Sequence, residues 1–277
     1  MLLFTNSKLN LGLNVIDKRA DGFHNIETVF YPINWCDALE VIENKNITEP
    51  IEFTQSGLFI NSTLENNLIY KTWQLITQTK KIPNIKVHLH KNIPMGAGLG
   101  GGSANAAFFI NSVNTLFNLN FNETEKLNIA SKIGSDCAFF IKNKPVFAQG
   151  KGNEFNPIDL DLSKYYILIV FPDVLSSTKD AYLELTPKQA QYDLKLILET
   201  KPIESWKEFV TNDFEATLFK KYPQIKQVKD LLYANNALYA SMSGSGSAVY
   251  GIFKEEPIIE LPVNYTSFLQ QPINLEV

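Results

Sequence analysis

Residues 94–103 read Pro94-Met95-Gly96-Ala97-Gly98-Leu99-Gly100-Gly101-Gly102-Ser103, and they hold five of the chain's 14 glycines. The residues before them, Ile85-Lys86-Val87-His88-Leu89-His90, alternate apolar and polar as a half-buried strand does. Those after them, Ala104-Asn105-Ala106-Ala107-Phe108-Phe109-Ile110, open a helix-compatible apolar run with Ser103 reading as its cap. Strand, glycine loop and helix start is the order that aims free backbone N–H groups at an anion. Glycine admits positive φ and leaves no side chain to block close approach. The stretch therefore predicts a phosphate-binding loop rather than a flexible turn, which does not need this many glycines before a helix.

Three familiar phosphate loops do not fit. Gly96-x-Gly98-x-x-Gly101 satisfies the dinucleotide spacing. However, the acidic residue wanted about 20 positions on would be Glu123, which lies in the Asn-rich turn Asn118-Leu119-Asn120-Phe121-Asn122-Glu123. A Walker-type loop would need lysine where Gly102 stands. A protein-kinase loop would need valine at Ser103 and a downstream His-Arg-Asp run, and both are missing.

Composition narrows the class. The chain has 277 residues, 45% of them hydrophobic and 19% charged, enough to bury a substantial core. A formal net charge of −4 and a pI near 5.5 argue against a nucleic-acid partner and leave room for a locally cationic site. Cys36 and Cys137 lack metal or redox spacing and read as reduced thiols of a cytoplasmic protein. Met1-Leu2-Leu3-Phe4 is too short for a signal peptide, and no apolar run approaches a membrane span, so no membrane partner is expected.

Along the chain, Ala38–Ile42, Ile51–Phe53, Tyr165–Phe171 and Ala248–Phe253 read as strands. Helices are expected over Asn67–Thr79, from about Asn122 to Ile133, around Ser205–Phe219 and over Ile225–Ala234. Strict β-α-β alternation is absent, which favours an α+β fold. Pro157 and the aspartates of Asn153–Ser163 place a soft domain boundary near 155, giving domains 1–155 and 156–277.

Three further segments carry chemistry. In Asn6-Ser7-Lys8-Leu9-Asn10-Leu11, a strand puts Lys8 and Asn10 on one face, either solvated or converging on a ligand. In Gly134-Ser135-Asp136-Cys137, Asp136 is either a helix N-cap or a functional carboxylate. Ser241-Met242-Ser243-Gly244-Ser245-Gly246-Ser247 is a small-residue loop before a strand, either a flexible connection or a ligand-facing turn. His88 and His90, two apart on a strand, suggest no third metal ligand and read as solvated or packing residues.

The lysine segment, the glycine loop, Gly-Ser-Asp and Ser-Gly-Ser-Gly-Ser, in this order, resemble the GHMP kinase superfamily of small-molecule kinases. The run Arg19-Ala20-Asp21-Gly22-Phe23-His24-Asn25-Ile26-Glu27-Thr28 is more selective. It resembles the Arg-x-Asp-Gly-[Tyr/Phe]-His-x-[Ile/Leu]-x-[Ser/Thr] segment of the 4-diphosphocytidyl-2-C-methyl-D-erythritol kinases of the non-mevalonate isoprenoid route. The resemblance spans about residues 5 to 253. Ala104 departs from it, standing where a serine is common, which puts a metal contact from that position in doubt.

The resemblance implies a two-domain GHMP kinase fold with the active site in the cleft between domains. It makes Asp136 the base that takes the proton of the substrate 2-hydroxyl, with Lys8 beside it and Asn10 fixing that hydroxyl. Such roles suit phosphoryl transfer, which needs positioning, charge neutralisation and a carboxylate to orient the nucleophile. Phe23 would stack on cytosine, and His24 would meet its hydrogen-bonding edge. ATP would lie along Pro94, Met95, Gly96, Ala97, Gly98, Leu99, Gly100, Gly101, Gly102 and Ser103, with Asn67 at the adenine and Lys91 and Pro94 flanking it. Mg²⁺ would arrive mainly on the nucleotide, with no metal site built from protein side chains. The expected partner is the small-molecule substrate CDP-methylerythritol, bound by a monomer or homodimer.

Overall fold

Buried apolar residues of the strands and helices set the cores. In the computed structural model, residues 1–46, 48–60, 63–176 and 178–273 are described, 178–180 by backbone alone. They form two units: Met1–Ser7, Pro32–Met95 and Gly100–Lys144 make the first, and Lys8–Tyr31, Gly96–Leu99 and Pro145–Val277 the second. This division differs from a single boundary near 155. The strands β1 (Leu2–Lys18) and β2 (His24–Glu43) are long enough to contribute to both units. Residues Glu154–Pro157, where the soft boundary falls, form a strand.

In the first unit, β3 (Ile51–Gly57) follows β2 and the helix α1 (Leu68–Thr77) precedes β4 (Ile85–Lys91). The strand β4 pairs antiparallel with β2, setting Leu39 against Leu89 and Val41 against Val87, and parallel with β3. Leu39, Val41, Val87 and Leu89 are buried, as the two-residue period requires. His88 and His90 point the other way and engage Thr54 and Ser56 at 2.8–3.0 Å, so they are hydrogen-bonded surface residues. The helices α2 (Gly101–Leu116), α3 (Glu123–Ile133) and α4 (Cys137–Lys142) complete the unit. Asn122 and Glu125 form a reciprocal capping box on α3, which is why that helix starts where its sequence predicts. The start of α2 is a correction: Gly100 is the cap and Ser103 lies inside the first turn.

The second unit adds β5 (Val146–Gln149), β6 (Glu154–Pro157) and β7 (Tyr166–Phe171). It continues with α5 (Thr178–Leu183), α6 (Leu194–Thr200), α7 (Glu215–Lys221) and α8 (Pro223–Ala234). It ends with β8 (Tyr239–Met242), β9 (Val249–Phe253) and β10 (Thr266–Gln270). The order β10-β7-β9-β8, antiparallel throughout, builds a sheet whose Leu168, Val170, Met242 and Val249 join Phe214, Leu218, Val228 and Leu232 in one core.

The helix expected over Ser205–Phe219 is broken into a 3-10 turn, Ile203–Glu208, and α7. Between them the backbone is diverted: Leu13 donates to the Thr211 carbonyl at 2.8 Å, and the Leu13 carbonyl accepts from Asp213 at 2.9 Å. Asn212 spends its side chain on the carbonyls of Met242 and Gly244. A polar side chain that bonds backbone competes with the helix. Cys36 and Cys137 are both free thiols. Among the described residues no helix is long and apolar enough to cross a membrane.

Candidate active site

The glycine loop takes a conformation that its composition demands. Gly96, Gly98 and Gly100 have φ of +70°, +80° and +72°, the left-handed region that side-chain-bearing residues seldom enter. At Gly98 space is also decisive, because a Cβ there would lie 1.9 Å from the Ser243 carbonyl oxygen. The opposing Gly246 is equally closed, its Cβ position being 2.0 Å from the Gly98 nitrogen. The Ser243-Gly244-Ser245-Gly246 segment is thus small because the backbone of Ala97 and Gly98 lies directly on it. Ala248 donates to the Ala97 carbonyl at 3.1 Å, and the Ser243 hydroxyl donates to that of Gly98 at 2.9 Å.

In the first unit, α2 begins at Gly101 with no side-chain cap and no acidic residue in its first turn. Its leading N–H groups and the positive end of its dipole are therefore unopposed by side chains of that turn. Gly102 is exposed, and a Cβ there would meet only Leu68 at 3.7 Å. This donor set fits a phosphate. The Cys137 thiol, pushed up to about 12 by burial, hydrogen-bonds Ser103. Asp136, the residue before it, is thereby carried to the same end of α2. Asp136 occupies the N-cap position of α4 but makes no capping hydrogen bond; its Oδ1 accepts from the Ser135 hydroxyl at 3.2 Å.

Beneath this helix start lies Lys91, 3% exposed, donating to Asp37 at 2.5 Å. Burial lowers the Lys91 pKa, and the Asp37 charge and hydrogen bond oppose that shift. Asp37 also accepts from the backbone N–H groups of Asn92 and Ile93, both at 2.8 Å, and from the Asn105 amide at 2.9 Å. The Lys91 side chain therefore braces the strand that feeds the loop. Pro94 is buried, Met95 is exposed, and Asn67 caps α1 by accepting from the Ile69 N–H at 2.8 Å.

In the second unit the solvated-face reading of Lys8 and Asn10 fails, since both are buried. Lys8 Nζ donates to Asn10 Oδ1 at 2.5 Å and to the Gly98 carbonyl at 3.0 Å. The Asn10 amide in turn donates to Thr28 Oγ1 at 3.0 Å, and that hydroxyl donates to the Gly12 carbonyl at 2.6 Å. The backbone of Asn10 is clasped as well, its N–H by Ser243 and its carbonyl by the Tyr250 hydroxyl.

The turn between β1 and β2 is closed by Arg19 and Asp21. Asp21 Oδ1 accepts from the Phe23 N–H at 3.1 Å, and the Phe23 carbonyl accepts from Arg19 at 2.8 Å. Phe23 is left 59% exposed, with Lys151 Nζ 4.7 Å from its ring centroid. His24 stacks on Tyr182 at 4.8 Å, and Tyr182 meets buried Phe214 edge-on. Burial and Lys18 lower the His24 pKa, and Asp17 acts in the opposite direction.

Two contributors escape the motif reading. Asp37 follows Trp35 at the inward-facing period of β2, and that parity was the available signal. Asn212-Asp213-Phe214-Glu215 supplies Asn212 to the Gly244 carbonyl, Asp213 to the Val15 N–H and Glu215 to the Met242 N–H. Among the described residues no group of three His, Cys, Asp or Glu side chains could hold a metal ion.

With this geometry in place, residues 67–144 match the model of the GHMP kinases N terminal domain and residues 194–261 that of the GHMP kinases C terminal domain. The fold is that of a GHMP kinase. The chain is 49% identical over 255 residues to a Parabacteroides distasonis protein named 4-diphosphocytidyl-2-C-methyl-D-erythritol kinase, with 92% of each chain covered. A Porphyromonas gingivalis protein of the same name is 41% identical over 261 residues, with 94% of each chain covered. A crystal structure of 4-(cytidine 5'-diphospho)-2C-methyl-D-erythritol kinase superposes with a TM-score of 0.74 at 28% identity, covering 91% of this chain and 90% of that one. Homoserine kinase from Cytophaga hutchinsonii, at a TM-score of 0.63 and 16% identity over 96% of this chain and 94% of that one, shares the fold alone. The chain belongs to the 4-diphosphocytidyl-2-C-methyl-D-erythritol kinase family.

Proposed function

We infer that the chain is an ATP-dependent kinase that phosphorylates the 2-hydroxyl of 4-diphosphocytidyl-2-C-methyl-D-erythritol on the non-mevalonate route to isoprenoid precursors. The observation that carries the substrate choice is the Arg19–His24 turn. Phe23 offers an open aromatic face beside the Lys151 ammonium, and His24 is steadied by Tyr182. An aromatic face suits a pyrimidine, and a base stacked there is worth about 1–3 kcal/mol.

In this reading Asp136 accepts the proton of the substrate hydroxyl, and Lys8 stabilises the charge of the transferring phosphoryl group. Asn10 gives one amide hydrogen to Thr28 and uses the other to orient the hydroxyl. The N–H groups of the glycine loop and the α2 start hold the nucleotide phosphates, with Asn67, Lys91 and Pro94 toward the adenine. Mg²⁺ rides on the nucleotide, where it neutralises phosphate charge. The acceptor is a small molecule, the protein works in the cytoplasm, and it functions as a monomer or homodimer.

Coupled ADP release with CDP-methylerythritol, homoserine and mevalonate tests the assignment. Turnover confined to the cytidine compound is expected, and turnover with either of the others in its place overturns it. In the same assay Asp136→Asn should cut kcat by about 10²-fold or more with the KM for ATP unchanged. Near-normal turnover would remove Asp136 from the role of base.

A further inference from the structure

Thr28 closes the selective sequence run, yet none of the functions above uses it. It is fully buried at 0% exposure on β2. Its hydroxyl has one hydrogen to give, and the 2.6 Å contact to the Gly12 carbonyl, which can only accept, claims it. Toward Asn10 the Thr28 oxygen is then only an acceptor. Asn10 must present its amide N–H₂ to Thr28 and its Oδ1 to the far side, where the Lys8 ammonium, which can only donate, stands at 2.5 Å. Every donor in the chain Lys8–Asn10–Thr28–Gly12 points the same way, and a carbonyl fixes the direction at its end.

Gly12 makes that end rigid. Its φ is +67°, in the left-handed region that side-chain-bearing residues seldom enter, and a Cβ would lie 2.7 Å from the Leu194 side chain and 2.9 Å from that of Val210. A carbonyl aimed by the Gly12 backbone of β1 thus sets a hydroxyl, the hydroxyl sets an amide, and the amide sets an ammonium. Such directed chains polarise one another and strengthen as a unit.

We propose that Thr28 is a positioning residue of the kinase, acting through the Asn10 amide to hold the Lys8 ammonium in register for phosphoryl transfer. The inference rests on the roles of Lys8 and Asn10 given above. Without the hydroxyl, the Asn10 amide loses the partner that fixes its orientation, and one flip would turn an N–H₂ group against the Lys8 ammonium.

The test compares Thr28→Val, which keeps shape and removes the hydroxyl, with Thr28→Ser, which keeps the hydroxyl. Thr28→Val should lower kcat by about tenfold to 10²-fold, the scale of a misplaced catalytic group, with the KM for ATP unchanged. Thr28→Ser should restore most of the loss. In an Asn10→Ala background, Thr28→Val should add little, because the link it breaks is already gone. Equal losses in the valine and serine variants, or a full additional loss in the Asn10→Ala background, overturn the proposal in favour of packing. Should Thr28→Val fail to fold, Thr28→Cys, which retains a weak donor in similar volume, takes its place and should fall between serine and valine. If Lys8→Ala and Asn10→Ala themselves leave kcat intact, the underlying reading fails. If they lower it and Thr28→Val does not, the present inference alone fails.

Discussion

Lys91 in the first unit and Lys8 in the second are each 3% exposed, and each donates to oxygen at 2.5 Å. For Lys91 the oxygen belongs to Asp37, a carboxylate that also collects two backbone N–H groups and the Asn105 amide. Lys8 donates to the Asn10 amide oxygen and the Gly98 carbonyl, and its ammonium lies 5.1 Å from the Phe30 ring centroid. A carboxylate offsets an ammonium charge, and an amide or carbonyl dipole orients it. The same residue type at the same depth is thereby held in two ways: Lys91 fastens a strand through Asp37, and Lys8 is oriented by the Asn10 and Gly98 oxygens.

Exchanging each lysine for methionine is the sharpest way to break this contrast. Lys8→Met should cost about 10²–10³-fold in kcat, the scale of removing one preorganised charge stabiliser, while unfolding in urea shifts by about 1 kcal/mol or less. Lys91→Met should reverse the pattern, destabilising the fold by about 3–5 kcal/mol through the stranded Asp37 carboxylate, with kcat of the folded fraction near that of the parent. If Lys8→Met unfolds the protein or Lys91→Met abolishes turnover at unchanged stability, the division of labour is wrong.

A third lysine sharpens the comparison at the surface, where Lys151 sits over the exposed Phe23 ring. Phe23→Ala should raise the KM for CDP-methylerythritol by the equivalent of about 1–3 kcal/mol and leave that for ATP unchanged. An unchanged KM in a folded variant would make Phe23 a bystander. The smallest effect is expected at His24, whose charge state is governed by burial and by Lys18, with Asp17 opposing. Its folded pKa lies below 6.5, so protonation is disfavoured in the native state, and stability falls as pH drops below 6.5 through that lowered value. The KM for the cytidine substrate should accordingly stay level down past pH 6.5 and rise only in more acidic buffer, with the KM for ATP as the control. A rise already complete above 6.5 would assign the titration to another group.

The parts of this molecule that sequence made legible are those fixed by local chemistry. The Asn122-Glu125 capping box, the strands at Tyr166–Phe171 and Val249–Phe253 and the strand-loop-helix order around Gly98 follow from period and propensity within a few residues. What escaped depends on distant partners. Ser243 reads as part of either a flexible connection or a ligand-facing turn, and the Gly98 backbone lying on it is not visible in the sequence. Asn212 reads as helical until its amide is found bonded to Met242 and Gly244. Lys91 shows no sign in the sequence of its ion pair with Asp37, 54 residues earlier. The resemblance brought Lys8, Asp136 and Phe23 to notice, but the direction of the hydrogen bonds through Thr28 needed atoms.

The division of the chain into interleaved segments also governs the order in which it can be completed during synthesis. Every segment of the first unit has been made once Lys144 is joined, so its core can close while the remaining residues are still being added. The second unit begins almost as early, at Lys8, and finishes much later. Lys8–Tyr31 belongs to it, yet Leu13 must wait for Thr211 and Asp213, Asn10 for Ser243 and Tyr250, and β7 for β10 at Thr266–Gln270. The nascent chain therefore carries β1, paired with β2 but without its later partners, for most of its translation. Leu9, Leu11 and Leu13, among the best-buried residues of the finished protein, are the surface a holding chaperone would meet first.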